Sequence, residues 1–374
     1  MIHKKRVLDE FLNLLKLTSP TRNEREVADL LKRKLTDLGL TVTEDETGKK
    51  IGGNAGNIIG HLKGTKENAP KLFFSAHMDC VEPCENVKPQ RKGGVITSDG
   101  TTILGSDDKA GIAPILEALH LLKEENIEHG DIQIIFTVAE EDGLLGAKNM
   151  DPKLIQADFG YCLDSSGRPG KIIIQAPGQD DISVKVHGKL AHAGIAPEDG
   201  INAITIAAKA IATMKQGRLD HETTANVGII RGGHATNIVP SLAEVTCEAR
   251  SCDEKKLATQ TNYMVELFET IAKENGATTE IKVEHCYRPY TLTHDMLVIK
   301  TAIAAMKAVG LEPNLTPTGG GSDGNFYNAY HIPCAVLGVG MAKVHTTEEF
   351  ILEEDLYHTA QIVLELIKCS MRVK

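Results

Sequence analysis

The sequence predicts an α/β protein with a second, ferredoxin-like domain inserted into it. The first observation is a βαβ rhythm over residues 71–141, where apolar runs typical of buried strands flank a helix. The second is a change to the order β-α-β-β-α-β after about residue 178, which is the order of a ferredoxin-like unit. The third is length, because 374 residues are many for one hydrophobic core and favour two domains.

The elements of the first part, residues 1–177, follow from apolar periodicity and from breaks in it. A break at Ser19 and Pro20 separates two amphipathic helices near the start, and Gly39 ends the second helix. The pattern then predicts a strand over 71–78, a helix over 110–125 and a strand over 131–141. We assign this part to the main domain.

The inserted domain is predicted over 178–288, and residues 289–374 return to the main domain. Its long second helix has Asp253 in the N-cap position and Gly276 as a stop. The predicted strands are 181–188, 224–233, 242–251 and 279–287, and the predicted helices are 201–214 and 253–276. The returning segment is expected to form a helix, a strand over 332–340 and a final helix.

Composition and charge argue against several classes of function. Hydrophobic residues make up 41% of the chain and charged residues 25%, which is ordinary for a soluble globular protein. The net charge is −10 and no basic cluster is present, so a nucleic-acid partner is not expected. No apolar run approaches the roughly eighteen residues of a membrane span, and the amphipathic start lacks a signal-peptide core. We therefore expect a cytoplasmic protein without membrane or nucleic-acid partners.

The eight cysteines are scattered, and several lie in strand-like apolar runs, as reduced core thiols in a cytosolic protein would. Cys80 and Cys84 form one isolated pair, and a structural zinc site of cysteines needs a second pair. We expect both to be core thiols or neighbours of a site, in preference to metal ligands.

One apolar strand ends in polar residues that a core would not contain. In LFFSAHMDCV, Leu72, Phe73 and Phe74 suit the middle of a buried strand, yet His77 and Asp79 follow. Residues two apart on a strand point to the same face, so His77 and Asp79 are expected side by side.

Polar pairs also mark the start of a helix and the end of a second strand. Asp107 and Asp108 come just before the predicted helix, and we expect Asp108 to be its N-cap, which leaves Asp107 without a structural role. Glu140 and Glu141 end the strand 131–141. Adjacent strand residues face opposite ways, so both can approach one site only where the strand breaks down.

Two further polar residues lie at strand ends: Asp164 in YCLDSSG, and His345 just past the strand 332–340. Each alone is more simply explained as a surface residue. Together, two histidines and several carboxylates at strand ends match the ligands of one zinc, or of two zincs bridged by a carboxylate. Strand ends of open α/β sheets are also where ligands bind. Asp79 would then fix the tautomer of His77 and raise its basicity.

Five short motifs carry a resemblance to a known family. HMD, SDDKAG, AEED, LDSSG and VHTTEE occur in that order across nearly the whole chain. They resemble the motifs of the metallopeptidase family that contains peptidase T, carboxypeptidase G and acetylornithine deacetylase, and most of all its peptidase T-like branch. The resemblance implies a mixed-sheet zinc-peptidase catalytic domain with an inserted lid. It also implies two divalent metal ions per chain, expected to be Zn²⁺, for which Co²⁺ or Mn²⁺ can substitute.

Carried over residue by residue, the resemblance assigns the metal ligands. His77 and Asp164 would hold one metal, and Glu141 and His345 would hold the other. Asp107 would bridge the two ions.

The resemblance also implies catalytic and substrate-binding residues. Glu140 would be the general base, and Asp79 would support the ligating histidine beside it. In the lid, His192 would polarise the substrate carbonyl, although a solvated loop histidine would look the same in the sequence. Arg250 lies on the polar face of its predicted strand, and with Asn237 it would hold a substrate carboxylate, for which a planar guanidinium is suited.

These residues predict a two-metal exohydrolase of peptide or N-acyl amide bonds, and the resemblance implies an exopeptidase of short peptides, an aminopeptidase or tripeptidase like peptidase T. An N-acyl amino-acid deacylase or a carboxypeptidase would use the same chemistry, because substrate choice lies in pocket shape. A catalytically inactive metal-binding protein is the alternative of another class, and the presence of Glu140 with all the ligands argues against it. A dehydrogenase is disfavoured, since no GxGxxG follows a strand and opens a helix. The resemblance allows a homodimer through the lid, with His192 acting within its own chain or across the interface.

Overall fold

A computed structural model describes residues 2–372 of the chain. The chain divides into two compact units. The first unit comprises residues 2–174, 292–317 and 322–372, and the second comprises residues 175–291 and 318–321. No helix within residues 2–372 combines the length and the apolar character that crossing a membrane requires.

The chain begins with helices and strands of the first unit and leaves it through an eighth strand. The helices are α1 (Lys4–Leu15), α2 (Arg25–Asp37), α3 (Thr47–Ile51), α4 (Ser106–Glu124) and α5 (Leu145–Asn149). The strands are β1 (Thr41–Glu44), β2 (Ile58–Leu62), β3 (Leu72–His77), β4 (Gln90–Lys92), β5 (Val95–Thr97), β6 (Ile132–Thr137), β7 (Phe159–Ser165) and β8 (Lys171–Ala176).

The second unit follows, and the chain then returns to the first. The second unit contains β9 (Gly178–His187), β10 (Ala191–His192), α6 (Ala203–Thr213), β11 (Gly217–Arg218), β12 (Thr223–Gly232), β13 (Ile238–Val239), β14 (Leu242–Ser251), α7 (Glu254–Glu274), β15 (Thr278–Tyr287) and β16 (Tyr290–Thr291). The returning elements are α8 (Leu297–Val309), β17 (Asn314–Pro317), α9 (Asp323–Ala329), β18 (Cys334–Gly338), β19 (Phe350–Leu352) and α10 (Glu353–Ser370).

The main sheet of the first unit is mixed, which confirms the predicted fold class. Its strands are ordered β1-β2-β6-β3-β7-β18-β8, and β17 also pairs with β8. The central strands β6, β3, β7 and β18 run parallel, whereas β1, β2 and β8 join antiparallel. Every residue of β3 and of β6 is buried, as expected of parallel strands covered on both faces. The helices α4 and α9 contact the central strands, and α1, α8 and α10 pack with α4 or with one another.

The parallel strands bring their carboxyl ends to one edge of the sheet. His77 is the last residue of β3, and Asp164 is the last but one of β7. The strand β6 ends at Thr137, four residues earlier than the sequence predicts, so Glu140 and Glu141 lie in the turn that follows it. This edge is where open α/β sheets bind their ligands.

The second unit has the order of a ferredoxin-like fold. Its main elements follow one another as β9-α6-β12-β14-α7-β15, and its antiparallel sheet is ordered β11-β12-β14-β9-β15. Along β14, Val245, Cys247 and Ala249 are buried and alternate with less buried residues, because one face packs on α6 and α7. The carboxylate of Asp253 accepts the backbone N–H groups of Lys255 and Lys256, so the predicted cap of α7 is confirmed. That this unit acts as a lid or a dimerisation domain stays a prediction.

The sequence patterns missed several short strands. The strands β1, β2 and β8 lie toward the two sides of the main sheet, and β4, β5 and β19 form a separate three-stranded sheet. Of these, β1 and the outer half of β2 are partly exposed and short, so they lack the continuous apolar run that marks β3.

Candidate active site

The imidazole of His77 lies at the carboxyl ends of the parallel strands among three carboxylates, those of Asp79, Asp107 and Asp164. Its Nε2 atom is 3.0 Å from Oδ1 of Asp107 and 3.8 Å from Oδ1 of Asp164. Its Nδ1 atom is 3.0 Å from the backbone carbonyl oxygen of Asp79 and 3.4 Å from Oδ1 of that residue. The ring is buried. Because its Nδ1 atom faces Asp79, its Nε2 atom points to the carboxylates of Asp107 and Asp164.

The carboxylate of Asp107 reaches both histidines, one with each oxygen. While Oδ1 faces His77, Oδ2 is 3.4 Å from Nε2 of His345. The backbone makes this possible, because the start of α4 is not a regular helix. Gly105, just before it, has φ +78°, and Asp107, in its first turn, has φ −80° and ψ 102°.

The prediction that Asp108 caps α4 is wrong. The helix begins after Gly105 without a side-chain capping bond, and Asp108 itself has non-helical φ and ψ. Its buried Oδ2 atom instead accepts the backbone N–H of His77 at 3.2 Å, and the peptide bond between Asp107 and Asp108 is cis. The residue thus faces β3, where it holds the main chain of the histidine.

The turn after β6 presents two glutamates to the same region. Ala139 adopts a left-handed φ of +49°, so the chain leaves the strand direction and neighbouring side chains no longer point to opposite faces. Glu140 is buried, and Oε1 of Glu141 lies 3.0 Å from Nε2 of His345. The carboxylate of Asp79 accepts the backbone N–H of both glutamates, at 3.0 and 3.2 Å.

These contacts create three overlapping groups in which the donor atoms lie within 4.8 Å of one another. The groups are His77 with Asp107 and Asp164, His77 with Glu140 and Glu141, and Asp107 with Glu141 and His345. All seven predicted residues of the main domain are therefore brought into one site.

A fourth acidic group lies in the second unit. It consists of Asp220, His221 and Glu222. Lys256 already pairs with both carboxylates of this group, at 3.1 Å and 2.6 Å, so a cation is in place there.

The site concentrates buried negative charge. Burial, and then the neighbouring Asp164, raise the pKa of Glu140 well above its usual value. Burial also raises the pKa of Asp164, and the charge of Asp107 adds to the effect. Burial opposes ionisation of Asp107 as well, but hydrogen bonds with His345 and His77 lower its pKa below the usual value. The negative charges of these three carboxylates are not fully balanced by neighbouring positive charge. A divalent cation bound among them would stabilise the arrangement.

Residues 19–24 support this site through hydrogen bonds. In the sequence they appear only as a helix break and the start of a helix. The hydroxyl of Thr21 donates to Oδ2 of Asp79 at 2.8 Å. The buried carboxylate of Glu24 accepts the backbone N–H of Ala139 at 3.0 Å, just before the two glutamates. In the sequence both residues look like ordinary residues at the start of a helix, so no local signal marked them.

A further buried carboxylate, Asp323, is the first residue of α9 and lies within the glycine-rich run 317–326. Its Oδ2 atom accepts the hydroxyl of Thr137 at 2.5 Å, and its Oδ1 atom has no hydrogen-bond partner among the described residues. Burial raises its pKa to about 6. Residues 317–326 are rich in glycine, but a turn needs the same residues, so the sequence of this run does not single out Asp323.

Cys80 and Cys84 pack together with Ile103 as buried residues. The ammonium of Lys109, also buried, donates to Sγ of Cys80 at 2.7 Å and to Oγ of Ser19 at 3.0 Å. The burial of both cysteines agrees with the expectation of core thiols or neighbours of a site.

The predicted substrate residues all lie in the second unit. His192 in β10 pairs with Ile238 in β13, next to the exposed Asn237. Nδ1 of His192 accepts the backbone N–H groups of Gly194 and Ile195, both at 3.2 Å. A neutral imidazole in this position carries its proton on Nε2, where it can donate to an acceptor.

The guanidinium of Arg250 is not free. Glu248 holds it with two hydrogen bonds, at 3.1 Å and 2.9 Å, and Nη1 lies 3.5 Å from the hydroxyl of Tyr287. That hydroxyl donates to Gln179 at 2.7 Å. A Cβ atom on Gly321 would meet the ring of Tyr287 at 2.4 Å, so the glycine-rich run packs against the same tyrosine.

Comparisons with known proteins agree with this architecture. Residues 73–368 match the model of peptidase family M20/M25/M40. The solved structure of aminopeptidase PepT from Bacillus cereus is 45% identical, with a TM-score of 0.93 and 99% of each chain covered. A tripeptidase structure from Staphylococcus aureus is also 45% identical, with a TM-score of 0.96 and all of each chain covered. Peptidase T of Escherichia coli strain SE11 is 28% identical over 417 residues, covering 99% of each chain.

The fold and the cluster of histidines and carboxylates define a metallopeptidase. The chain belongs to peptidase family M20/M25/M40, which confirms the resemblance seen in the sequence.

Proposed function

We propose that this protein is a metal-dependent exopeptidase that hydrolyses short peptides, with the activity of an aminopeptidase or tripeptidase. The observation that carries the proposal is the position of Asp107, whose two carboxylate oxygens face two histidines that belong to different ligand groups. A carboxylate between two sets of ligands is what a pair of bridged metal ions requires.

The ligand set fits two divalent cations. His77 and Asp164 would hold one ion, Glu141 and His345 would hold the other, and Asp107 would be shared between the two. Hydrogen bonds with Asp107 and then Glu141 raise the pKa of His345 to about 10, so positive charge is favoured where a cation would lie. Imidazole and carboxylate ligands suit Zn²⁺, and Co²⁺ or Mn²⁺ can take the same donors.

Two bound cations would polarise the scissile carbonyl and make water a better nucleophile at neutral pH. Glu140 takes the proton of the attacking water and passes it to the leaving amine. Burial suits the residue for this task, because a raised pKa lets a carboxylate hold a proton during the reaction. The carboxylate of Asp79 accepts the backbone N–H of Glu140 and so helps to hold the Glu140 side chain in place.

The second unit would supply the substrate contacts. The proton on Nε2 of His192 would stabilise the developing negative charge on the carbonyl oxygen. Asn237 and Arg250 would hold the carboxylate end of the peptide. Because Glu248 already occupies two N–H groups of the guanidinium, the substrate carboxylate would have to compete with it or bind the remaining edge.

The choice of substrate rests on the relatives. Proteins 45% identical to this chain over nearly its whole length are described as an aminopeptidase and a tripeptidase, which favours free peptides over N-acyl amino acids. A cleft of about 390 Å³ borders the site beside Glu141 and Asp142, with Arg22 and Glu82 also in its lining.

The deciding experiment compares substrates on the purified, metal-loaded protein. Free tripeptides, N-acetylated amino acids and C-terminal glutamate conjugates are assayed side by side, with the Glu140→Ala variant as a blank. We expect the highest kcat/KM for tripeptides with a free amino terminus. Preference for N-acetylated amino acids would replace the proposal by a deacylase, and activity equal to that of the blank on every substrate would leave a metal-binding protein.

We also propose that the protein is cytoplasmic and dimerises through the second unit. The eight cysteines are all free thiols, as in a reducing compartment. Six of the seven large hydrophobic residues exposed in the described part of the chain lie in this unit: Leu190, Ile195, Ile204, Ile229, Ile230 and Ile238. Exposed apolar residues concentrated in one unit favour a protein interface there. Sedimentation at several protein concentrations tests for the dimer.

A further inference from the structure

Glu349 is a buried carboxylate that none of the proposed catalytic steps uses. It lies four residues after His345, and its side chain is inaccessible to solvent. Its Oε2 atom accepts the backbone N–H of Gly105 at 2.8 Å, and its Oε1 atom accepts the hydroxyl of Ser106 at 2.5 Å and the backbone N–H of Asp107 at 3.1 Å. One carboxylate therefore satisfies three donors on the turn that carries Asp107.

The other end of this contact is the loop that carries His345. Two hydrogen bonds of 3.0 Å between Ala342 and Phe350 close the loop at its base, and the N–H of Glu349 donates to the carbonyl of Thr346 at 3.1 Å. Phe350 also begins β19, which pairs with β5, so the base of the loop is anchored in a sheet.

The tip of the loop lacks such anchoring. The side chain of His345 is half exposed, and its backbone adopts a left-handed φ of +63°. A non-glycine residue keeps this conformation only where its surroundings impose it. The position of the imidazole therefore depends on how the main chain of the loop is held relative to its neighbours.

We infer that Glu349 is a positioning residue that holds Asp107 and His345 in register. It thereby aligns the ligands of the metal site that Glu141 and His345 would form with Asp107. The inference rests on the proposed function, since it assumes two bound cations. Carboxylates that orient ligands from behind commonly contribute about 10- to 100-fold to metal affinity.

The two metal sites should differ in their dependence on Glu349. His77 and Asp164 lie on β3 and β7 and are held by the sheet, whereas the carboxylate of Glu349 bonds to Gly105, Ser106 and Asp107. Asp107 also belongs to the group of His77 and Asp164, but the sheet holds the other two ligands of that site, so loss of the Glu349 carboxylate should weaken it less. The site of Glu141 and His345 loses the alignment of its histidine with the bridging Asp107.

The test is a titration of the chelator-treated full chain with Co²⁺ alone, followed by visible absorption and calorimetry. For Glu349→Gln we expect the first equivalent to bind within about threefold of wild type and the second to bind 10- to 100-fold more weakly. Glu117→Gln is the matched control, because Glu117 is also a buried carboxylate, on α4, that accepts a backbone N–H and pairs with Arg6. It should bind both equivalents like wild type.

Each other outcome counts against the inference. Equal weakening of both equivalents would mean that Glu349 supports only the fold, and two unchanged equivalents would mean that it positions nothing. A wild type that binds fewer than two equivalents would overturn the proposed two-metal function itself, which the titration shows before any variant is compared. If Glu349→Gln does not fold, Ser106→Ala removes one of the three contacts, and the same asymmetry must appear at smaller size.

Discussion

The carboxylate of Asp79 accepts the backbone N–H of Glu140 at 3.0 Å. The sequence suggested that this aspartate supports His77, and Oδ1 does lie 3.4 Å from its Nδ1 atom. The closer contact of that nitrogen is the backbone carbonyl of Asp79, at 3.0 Å. The side chain therefore spans two elements, the end of β3 and the turn after β6, and it orients a proposed metal ligand and a proposed base together.

Replacing Asp79 by Asn should lower kcat more than it lowers metal content. An amide has one acceptor oxygen and cannot accept from Thr21, Glu140 and Glu141 in the geometry that both carboxylate oxygens provide. We expect a loss of about 10- to 100-fold in kcat with at least half of the metal retained. Steady-state kinetics beside elemental analysis measures both. A variant with full kcat would show that the contact does not matter for catalysis.

Glu140 and Glu141 should separate chemistry from metal binding. Glu140→Ala is expected to keep metal and fold while kcat falls about 10²–10⁴-fold, the usual contribution of a positioned general base. Glu141→Ala should lose metal and activity together, because its Oε1 atom lies in the group with Asp107 and His345. Glu140→Asp should also be slow, since the shorter side chain withdraws from the water. The assignment is reversed if Glu140→Ala loses metal while Glu141→Ala keeps it.

The wild-type chain should bind two equivalents of divalent metal after reconstitution with Zn²⁺. Removal of His77, which belongs to two of the three ligand groups, should lower the occupancy. Elemental analysis after dialysis measures the metal bound per chain in wild type and in His77→Ala. The control is His192→Ala, a substitution in the second unit. Less than about half an equivalent in wild type under saturating zinc would contradict the binuclear site.

Arg250 and Glu248 should act in opposite directions on substrate binding. If Arg250 holds a substrate carboxylate, Arg250→Ala should cost about 2–3 kcal/mol in kcat/KM, roughly 30- to 150-fold. Glu248→Gln removes a competing charge from the guanidinium and should lower KM. Amidation of the peptide carboxyl end should impair wild type strongly and Arg250→Ala little. Equal losses in both proteins would exclude this role of Arg250.

Glu24 should make the metal-free protein less stable as pH rises. Burial, and then the charge of Asp79, raise its pKa from about 4.5 to about 7. A raised pKa in the folded state stabilises the fold at low pH, and this contribution is lost as pH rises through 7. Between pH 5 and 8 the free energy of unfolding of wild type should therefore fall relative to Glu24→Gln, by about 2–3 kcal/mol.

Denaturant unfolding in the presence of a chelator measures this difference. The glutamine retains Oε1, which accepts the N–H groups of Arg22 and Ala139, so the variant should fold. Glu44→Gln is the control of opposite sign, because hydrogen bonds from Arg25, Gly56 and Lys32 overcome burial and lower the pKa of Glu44 to about 2. The Glu44→Gln substitution should change the pH dependence of the free energy of unfolding only in acid. If that free energy depends on pH in the same way for wild type and Glu24→Gln, the prediction is contradicted.

The sequence by itself determined the fold class and the ligand candidates. Local periodicity reports which strands are buried, so β3 and β6 were evident as apolar runs, and polar residues at their ends stood out as an anomaly. The ferredoxin-like order was equally visible, because alternation along β9 and β14 and the cap at Asp253 are local features.

Only the tertiary structure decided what surrounds those candidates. Glu349 and Gly105 are 244 residues apart, and Glu24 and Ala139 are 115 apart, so no local pattern relates them. Asp108 shows the same limit. Its sequence position favours a helix cap, but the irregular first turn of α4 directs its carboxylate to the main chain of His77. Periodicity records what a residue does within its own element. Which buried donor a carboxylate meets is decided when the elements pack, because a buried polar group must find a partner wherever the fold provides one.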